Sequence, residues 1–213
     1  MNGVINNHRL VALWRLFLCV LPIFAGCAAL EKREAVVTTV IIHPTEDAAS
    51  REATNFSLIG RVLVKTDRQG FSGGVHWQHN SDISDEILLF SPLGQTVAQI
   101  NRDLEGVRLI TSEQKAYHAA SVEDLTEEVL GWRLPLAGLQ FWILGVHSPL
   151  TFSEIDLDKN GRTVAIRQDG WQIVFLDYFS QQTTNTRYFP RVMELSRSDL
   201  RLRLVIDNWK VED

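Results

Sequence analysis

His76 and His79, in the stretch HWQH, are residue types that could ligate a metal. They lie three apart, and in a strand an odd spacing sends two side chains to opposite faces, so they do not converge as a ligand pair. The stretch DLDKNG at 156–161 opens like a calcium loop, but the twelfth position, where a bidentate Glu is needed, is Arg167. Asn160-Gly161 is better explained as a type I′ hairpin turn, as is Asp169-Gly170. The chain has no G-x-S-x-G elbow, P-loop or dinucleotide fingerprint, and its carboxylates are scattered. Carboxylates can converge in space from distant positions. The residues nevertheless give no evidence for an enzyme, and none for a metal.

The two cysteines suggest a different chemistry. Cys19 lies in the apolar run Leu16 to Phe24, preceded by His8, Arg9 and Arg15 and followed by Ala25 and Gly26. That is the layout of a secretory signal over residues 1–26. The run is about half the length a bilayer-spanning helix needs. The residues just before Cys27 resemble the bacterial lipobox, with Phe24 where Leu is usual. The resemblance implies that Cys27 becomes the mature N-terminus and carries N-acyl and diacylglycerol groups, the only non-protein groups expected. Ala28, in place of the Asp that retains lipoproteins in the inner membrane of enteric-type bacteria, implies export to the outer membrane. Cys19 leaves with the signal, so no disulfide is expected.

A third feature is Leu93. In LLFSPLGQTV (88–97), Pro92 and Gly94 mark a turn between two strands and put Leu93 at its tip. Turn tips are normally polar. Leu93 either folds back onto the domain or stands out to touch lipid. On residue chemistry alone the first reading is favoured, and a single exposed leucine is ordinary.

The elements that must position these residues are mostly strands. Leu58, Val62 and Val64 share a face with Gly60, as do Phe71, Gly73, Val75 and Trp77, in the period of two that marks a strand. EILLF (86–90), TVAQIN, GVRLIT and KAYHAA follow at short spacing, with EILLF expected to be covered on both faces. TVAIRQ, WQIVFLDYF and LRLRLVID come later, the last with Leu200, Leu202, Leu204 and Ile206 inward and Arg201 and Arg203 outward. Between the two sets lie two helices. Ser121 caps the first, with Asp124 three residues on, and Gly131 ends it. Pro135 opens the second, which runs to Gly145 with Leu136, Leu139 and Ile143 on one face and Trp142 beside them. Six strands, two helices and four or five strands, without a βαβ rhythm, predict a mainly β fold in which helices cover one face of a curved antiparallel sheet.

Residues 27–54 read as the attachment cysteine and a flexible tether, interrupted by the apolar stretch VVTTVII (36–42), and residues 55–213 as one domain. Such a tether would span roughly 25–30 Å on average. The signal holds two of the 21 basic and none of the 26 acidic residues, so 19 basic against 26 acidic remain, a net charge of −7. That argues against nucleic acid, whose binding depends on neutralised phosphates. It also leaves membrane anchoring to acylation rather than to a polybasic patch.

The region after the signal resembles the LolB family, the outer-membrane lipoprotein receptors of Gram-negative bacteria. Four pieces in order carry the resemblance: the lipobox Cys27, SPLG (91–94), LPLAGLQFWILG (134–145) and IDNWKV (206–211). Trp77 and Trp171 also stand where the family tends to have tryptophan. The resemblance implies an open antiparallel half-barrel of about eleven strands, with helices closing an apolar cavity. It implies a monomeric lipid-anchored protein on the periplasmic side of the outer membrane. Its partners would be a LolA-type periplasmic carrier, acylated lipoprotein cargo and outer-membrane lipid. It also implies a membrane-insertion role for Leu93, held by Pro92 and Gly94. Trp77, Phe90, Ile100, Leu139, Trp142, Ile143 and Phe175 are the candidate cavity wall, with Gly60 and Gly73 leaving room. For each of them plain core packing is at least as common.

Three other readings compete. A lipid-anchored binding module for another hydrophobic ligand shares the cavity but gives Leu93 no purpose. A structural envelope lipoprotein predicts a solid core and a large exposed patch. A lipid-metabolising enzyme requires titratable groups converging on the cavity wall.

Overall fold

Alternating apolar residues bury one face of nearly every strand and leave the other to polar groups, the pattern of an antiparallel sheet covered on one side. The computed structural model describes residues 35–44, 55–80, 84–180 and 188–211. The signal, Cys27 and Ala28 lie outside the described residues. Arg33–Asp213 packs as one compact unit.

Among the described residues, twelve strands form a single antiparallel sheet. They are β1 (Thr38–Ile42), β2 (Phe56–Lys65), β3 (Gly70–Asn80), β4 (Ser84–Phe90), β5 (Thr96–Asp103), β6 (Gly106–Thr111), β7 (Ala116–Ala119), β8 (Ser153–Leu157), β9 (Thr163–Gln168), β10 (Trp171–Tyr178), β11 (Pro190–Arg197) and β12 (Leu200–Val211). Their spatial order is β1-β8-β9-β10-β11-β12-β2-β3-β4-β5-β6-β7. The second half of the chain therefore pairs with the first through β12 against β2, and β1 and β7 remain as free edges of an open half-barrel.

The twelfth strand is the difference from the sequence reading. VVTTVII was expected to be part of the tether, but Thr38–Ile42 pairs with β8 from Thr38↔Leu157 to Ile42↔Ser153. Its β-branched residues satisfy their backbone groups on a sheet edge, and Ile42 packs against the core.

The turns follow local chemistry. Asp169 and Gly170 have φ of 53° and 76°, so this hairpin is the expected type I′. The other hairpin is not: only Gly161 has positive φ, 74°, and the Asp158 carboxylate accepts from the N–H groups of Asn160 and Arg162 at 2.7 and 2.9 Å. An aspartate that caps its own turn makes the left-handed Asn unnecessary. Gly60 and Gly73 do not leave room in the interior. A Cβ at Gly60 would lie 2.4 Å from the Val205 carbonyl oxygen, and one at Gly73 1.9 Å from that of Phe90, so the backbone itself occupies the space.

Helix α1 (Val122–Leu130) starts at Ser121, whose Oγ accepts from the Asp124 N–H at 3.3 Å, and stops at Gly131 with φ 79°. It lies against β6 and β7. Helix α2 (Leu136–Trp142) ends earlier than the run to Gly145 suggested, because the chain tightens there: Leu144 donates to Phe141 and Gly145, with φ 76°, to Trp142. Leu125, Leu136, Leu139, Trp142 and Ile143 bury against the inner face of the sheet in one continuous core.

Candidate functional site

Leu93 is 88% exposed. The turn that holds it is closed at its base by backbone bonds from Gly94 N–H to Ser91 O and from Ser91 N–H to Gln95 O, both 2.8 Å, and by Gln95 N–H to Ser91 Oγ at 3.2 Å. Proline restricts φ at Pro92, and Gly94 supplies φ 81°. The side chain between them points off the sheet, so Leu93 does not fold back onto the domain.

The inner face beneath the helices is apolar. Of the candidate wall, Trp77, Ile100, Leu139, Trp142, Ile143 and Phe175 are buried in the core. Phe90 is elsewhere. It shares strand parity with Glu86 and Leu88, opposite to buried Ile87 and Leu89, and its ring lies over Gly74 on the outer face. EILLF is accordingly covered fully only on its Ile87–Leu89 side.

The space between sheet and helices is small. An internal void of about 30 Å³ is lined by apolar side chains, among them Leu58, Ile87, Leu202 and Leu204 on the sheet and Trp132, Leu134 and Leu139 above. Only Trp77 and Leu139 of the candidate wall border it. Trp132 and Leu134 were missed because they lie in the linker between the helices, where periodicity gives no pattern. Their alternation with Gly131 and Arg133 was the available signal.

Two polar groups of residues brace this interior. Register places His79, Asp85 and Arg102 in one row across β3, β4 and β5. Asp85 accepts from Trp77 Nε1 at 2.8 Å, meets His79 Nδ1 at 2.7 Å and accepts from Arg102 Nε at 2.7 Å. Burial presses its carboxyl towards protonation, but His79, Trp77 and Arg102 outweigh burial and hold it below the usual carboxylate range. His76 faces away from this row, as the odd spacing required. On β9, buried Gln168 accepts from Trp142 Nε1 at 2.8 Å and from Ser148 N–H at 2.9 Å, and donates to Ser148 O and Thr151 Oγ1, both at 2.8 Å. It fastens α2 and the following loop to the sheet.

Fold and site together define an open antiparallel half-barrel with an apolar inner face, a helical roof and a leucine held out on a closed, charge-free turn. The family model for "Outer membrane lipoprotein LolB" matches residues 54–209. The chain is 51% identical over 193 residues to the outer-membrane lipoprotein LolB of Nitrosomonas europaea, covering 91% of this chain and 90% of that one. It is 42% identical over 158 residues to the LolB of Thiobacillus denitrificans, covering 74% and 81%. Among solved structures it is similar to a LolA superfamily protein of Nitrosomonas europaea, with TM-score 0.48, 9% identity and coverage of 81% and 95%. The chain belongs to the LolB family, outer-membrane lipoproteins of the Lol lipoprotein-localisation pathway, which are not enzymes.

Proposed function

We propose that this protein accepts acylated lipoproteins from a LolA-type periplasmic carrier, shelters their acyl chains between its sheet and helices, and inserts them into the inner leaflet of the outer membrane. Cys27, acylated, would hold it there. The observation that carries the reading is Leu93, exposed on a closed, charge-free turn of a domain whose inner face is apolar.

The energetics explain why such a protein is required. Three acyl chains hold on the order of 40 methylenes, and at about 0.8 kcal/mol each their transfer to water costs about 30 kcal/mol. An apolar interior removes most of that cost, and delivery to a bilayer is downhill, so no nucleotide site is needed. A void of about 30 Å³ is far below the roughly 300 Å³ at which ligand sites begin, so acceptance requires the helical roof to shift.

Leu93→Glu tests the reading. The substitution leaves the fold unchanged, because the side chain touches little. The variant is expected to take labelled lipoprotein from the carrier at the wild-type level and to release less than about a tenth as much into liposomes, a loss of about 1.4 kcal/mol or more in driving force. Normal delivery by this variant would remove Leu93 from the mechanism.

A further inference from the structure

A groove of about 570 Å³ opens at the end of the sheet where the turns after β2, β9 and β11 lie. The register places the Leu93 turn, after β4, at the same end. Its floor includes Trp132, Trp142, Trp171 and Leu200, all buried. Its rim is charged, with Glu123, Glu127, Asp169 and Asp199 against Arg133 and Arg197. Trp132 is the residue that lines both this groove and the internal void. Along β12 the inward side chains pass from Leu200 in the groove to Leu202 and Leu204 in the void. Groove and void meet at this indole.

Trp77, Trp142 and Trp209 each bind their Nε1–H to a partner, Asp85, Gln168 and the Pro190 carbonyl. Among the described residues neither Trp132 nor Trp171, also on the groove floor, makes such a bond, but of these two only Trp132 also borders the void. It lies outside both helices, next to Gly131 with φ 79°. The backbone on either side is pinned instead: Gln69 Nε2 donates to Leu130 O at 2.9 Å, and Leu134 N–H donates to Thr126 Oγ1 at 2.9 Å. Opening at this ring is a local motion, separate from the shift of the helical roof that makes room inside.

We propose that Trp132 is the door through which a single straight acyl chain enters the interior, with the groove as its vestibule. The inference rests on the carrier reading given above. The void offers no polar atom, so only hydrocarbon is accepted beyond the door. A rim of four carboxylates and two guanidiniums suits a neutral or zwitterionic head left outside, and disfavours a free fatty acid. The groove's volume is within the range of about 300–1,000 Å³ typical of ligand sites. Because it opens at the Leu93 end, a chain leaving through it emerges where the membrane contact is proposed.

The test is the association rate of a long saturated alkyl probe with a zwitterionic head and an environment-sensitive fluorophore, measured by stopped flow on Arg33–Asp213. Trp132→Ala is expected to speed association about tenfold, the removal of one modest barrier. Trp132→Leu, which retains a packed roof if the smaller residue unfolds the linker, should fall between. Ile166→Ala opens space in the core where neither Ile166 nor its cross-strand partners Ile155 and Ile173 border groove or void, and should leave the rate unchanged. Wild-type rates in both Trp132 variants, or equal acceleration by Ile166→Ala, would overturn the door. A wild-type protein that takes up no alkyl probe at all would overturn the carrier reading, and the door with it.

Discussion

Leu93 and Leu104 stand at the tips of successive hairpin turns, 88% and 81% exposed. Because β5 separates the turns, they lie at opposite ends of the sheet. Their surroundings differ. From residue 87 to 101 there is no charged residue, and the Leu93 turn is closed by serine, proline and glycine. Leu104 lies between Asp103 and Glu105, and the Asp103 carboxylate closes its turn by accepting from Glu105 and Gly106 N–H at 2.8 and 3.2 Å. Bringing Leu104 into hydrocarbon would bring two carboxylates with it, each costing up to about 3 kcal/mol at the bilayer centre. Exposure of an apolar side chain therefore does not mark a membrane contact. Exposure together with a neutral, internally closed turn does.

The sharpest way to break this contrast is to charge both tips. Leu93→Glu should reduce delivery to liposomes at least tenfold, while Leu104→Glu, a substitution on a surface already acidic, should change it less than twofold and stability by no more than about 0.5 kcal/mol. If the two variants behave alike, the neutral turn is not what matters. On stability rather than delivery, the larger effect is expected of Asp85→Asn, since Asp85 supports the end of the domain near Leu104. The substitution leaves His79 and Arg102 without their carboxylate, so urea unfolding at pH 7 should show a loss of about 3–5 kcal/mol. Because the folded Asp85 carboxyl titrates below its unfolded value, its contribution is present above about pH 4 and is lost as pH falls through the lower folded value. Acid titration of unfolding should be steeper for wild type than for Asp85→Asn in that range. Smallest is Gln168→Ala, which strands the Trp142 and Ser148 N–H groups and should cost about 1–3 kcal/mol in the same assay. It loosens the roof near the Leu93 end, so a faster uptake of alkyl probe should accompany the loss.

Much of this was legible in the residues. Period-two burial in Leu58–Val64 and Leu200–Ile206, the Ser121 cap and the Asp169-Gly170 turn each follow from local chemistry, and the structure has them as expected. What was not legible depended on distant partners. VVTTVII has strand-forming residues, but nothing in it says that β8, more than a hundred positions away, will accept it. Phe90 was misplaced because EILLF, apolar over most of its length, was read as covered on both faces, whereas its parity with Glu86 and Leu88 puts it on the outer one. The size of the interior depends on how Trp132 and Leu134 sit over the sheet, and that is a matter of linker geometry rather than of pattern. The exposure of Leu93 was the reverse case. Residue chemistry favoured packing back, and the closed Ser91–Gln95 turn keeps the side chain out.

The central claim is that this domain receives acyl chains from a carrier and passes them to a bilayer. The most direct test mixes Arg33–Asp213 with a LolA-type carrier loaded with radiolabelled lipoprotein, in the presence of liposomes, and follows the label among the three. The account predicts that label leaves the carrier, appears transiently on the domain and accumulates in the liposomes. Label that stays on the carrier while the domain still binds an alkyl probe would contradict it, and would make this protein a binder of some other hydrophobic ligand.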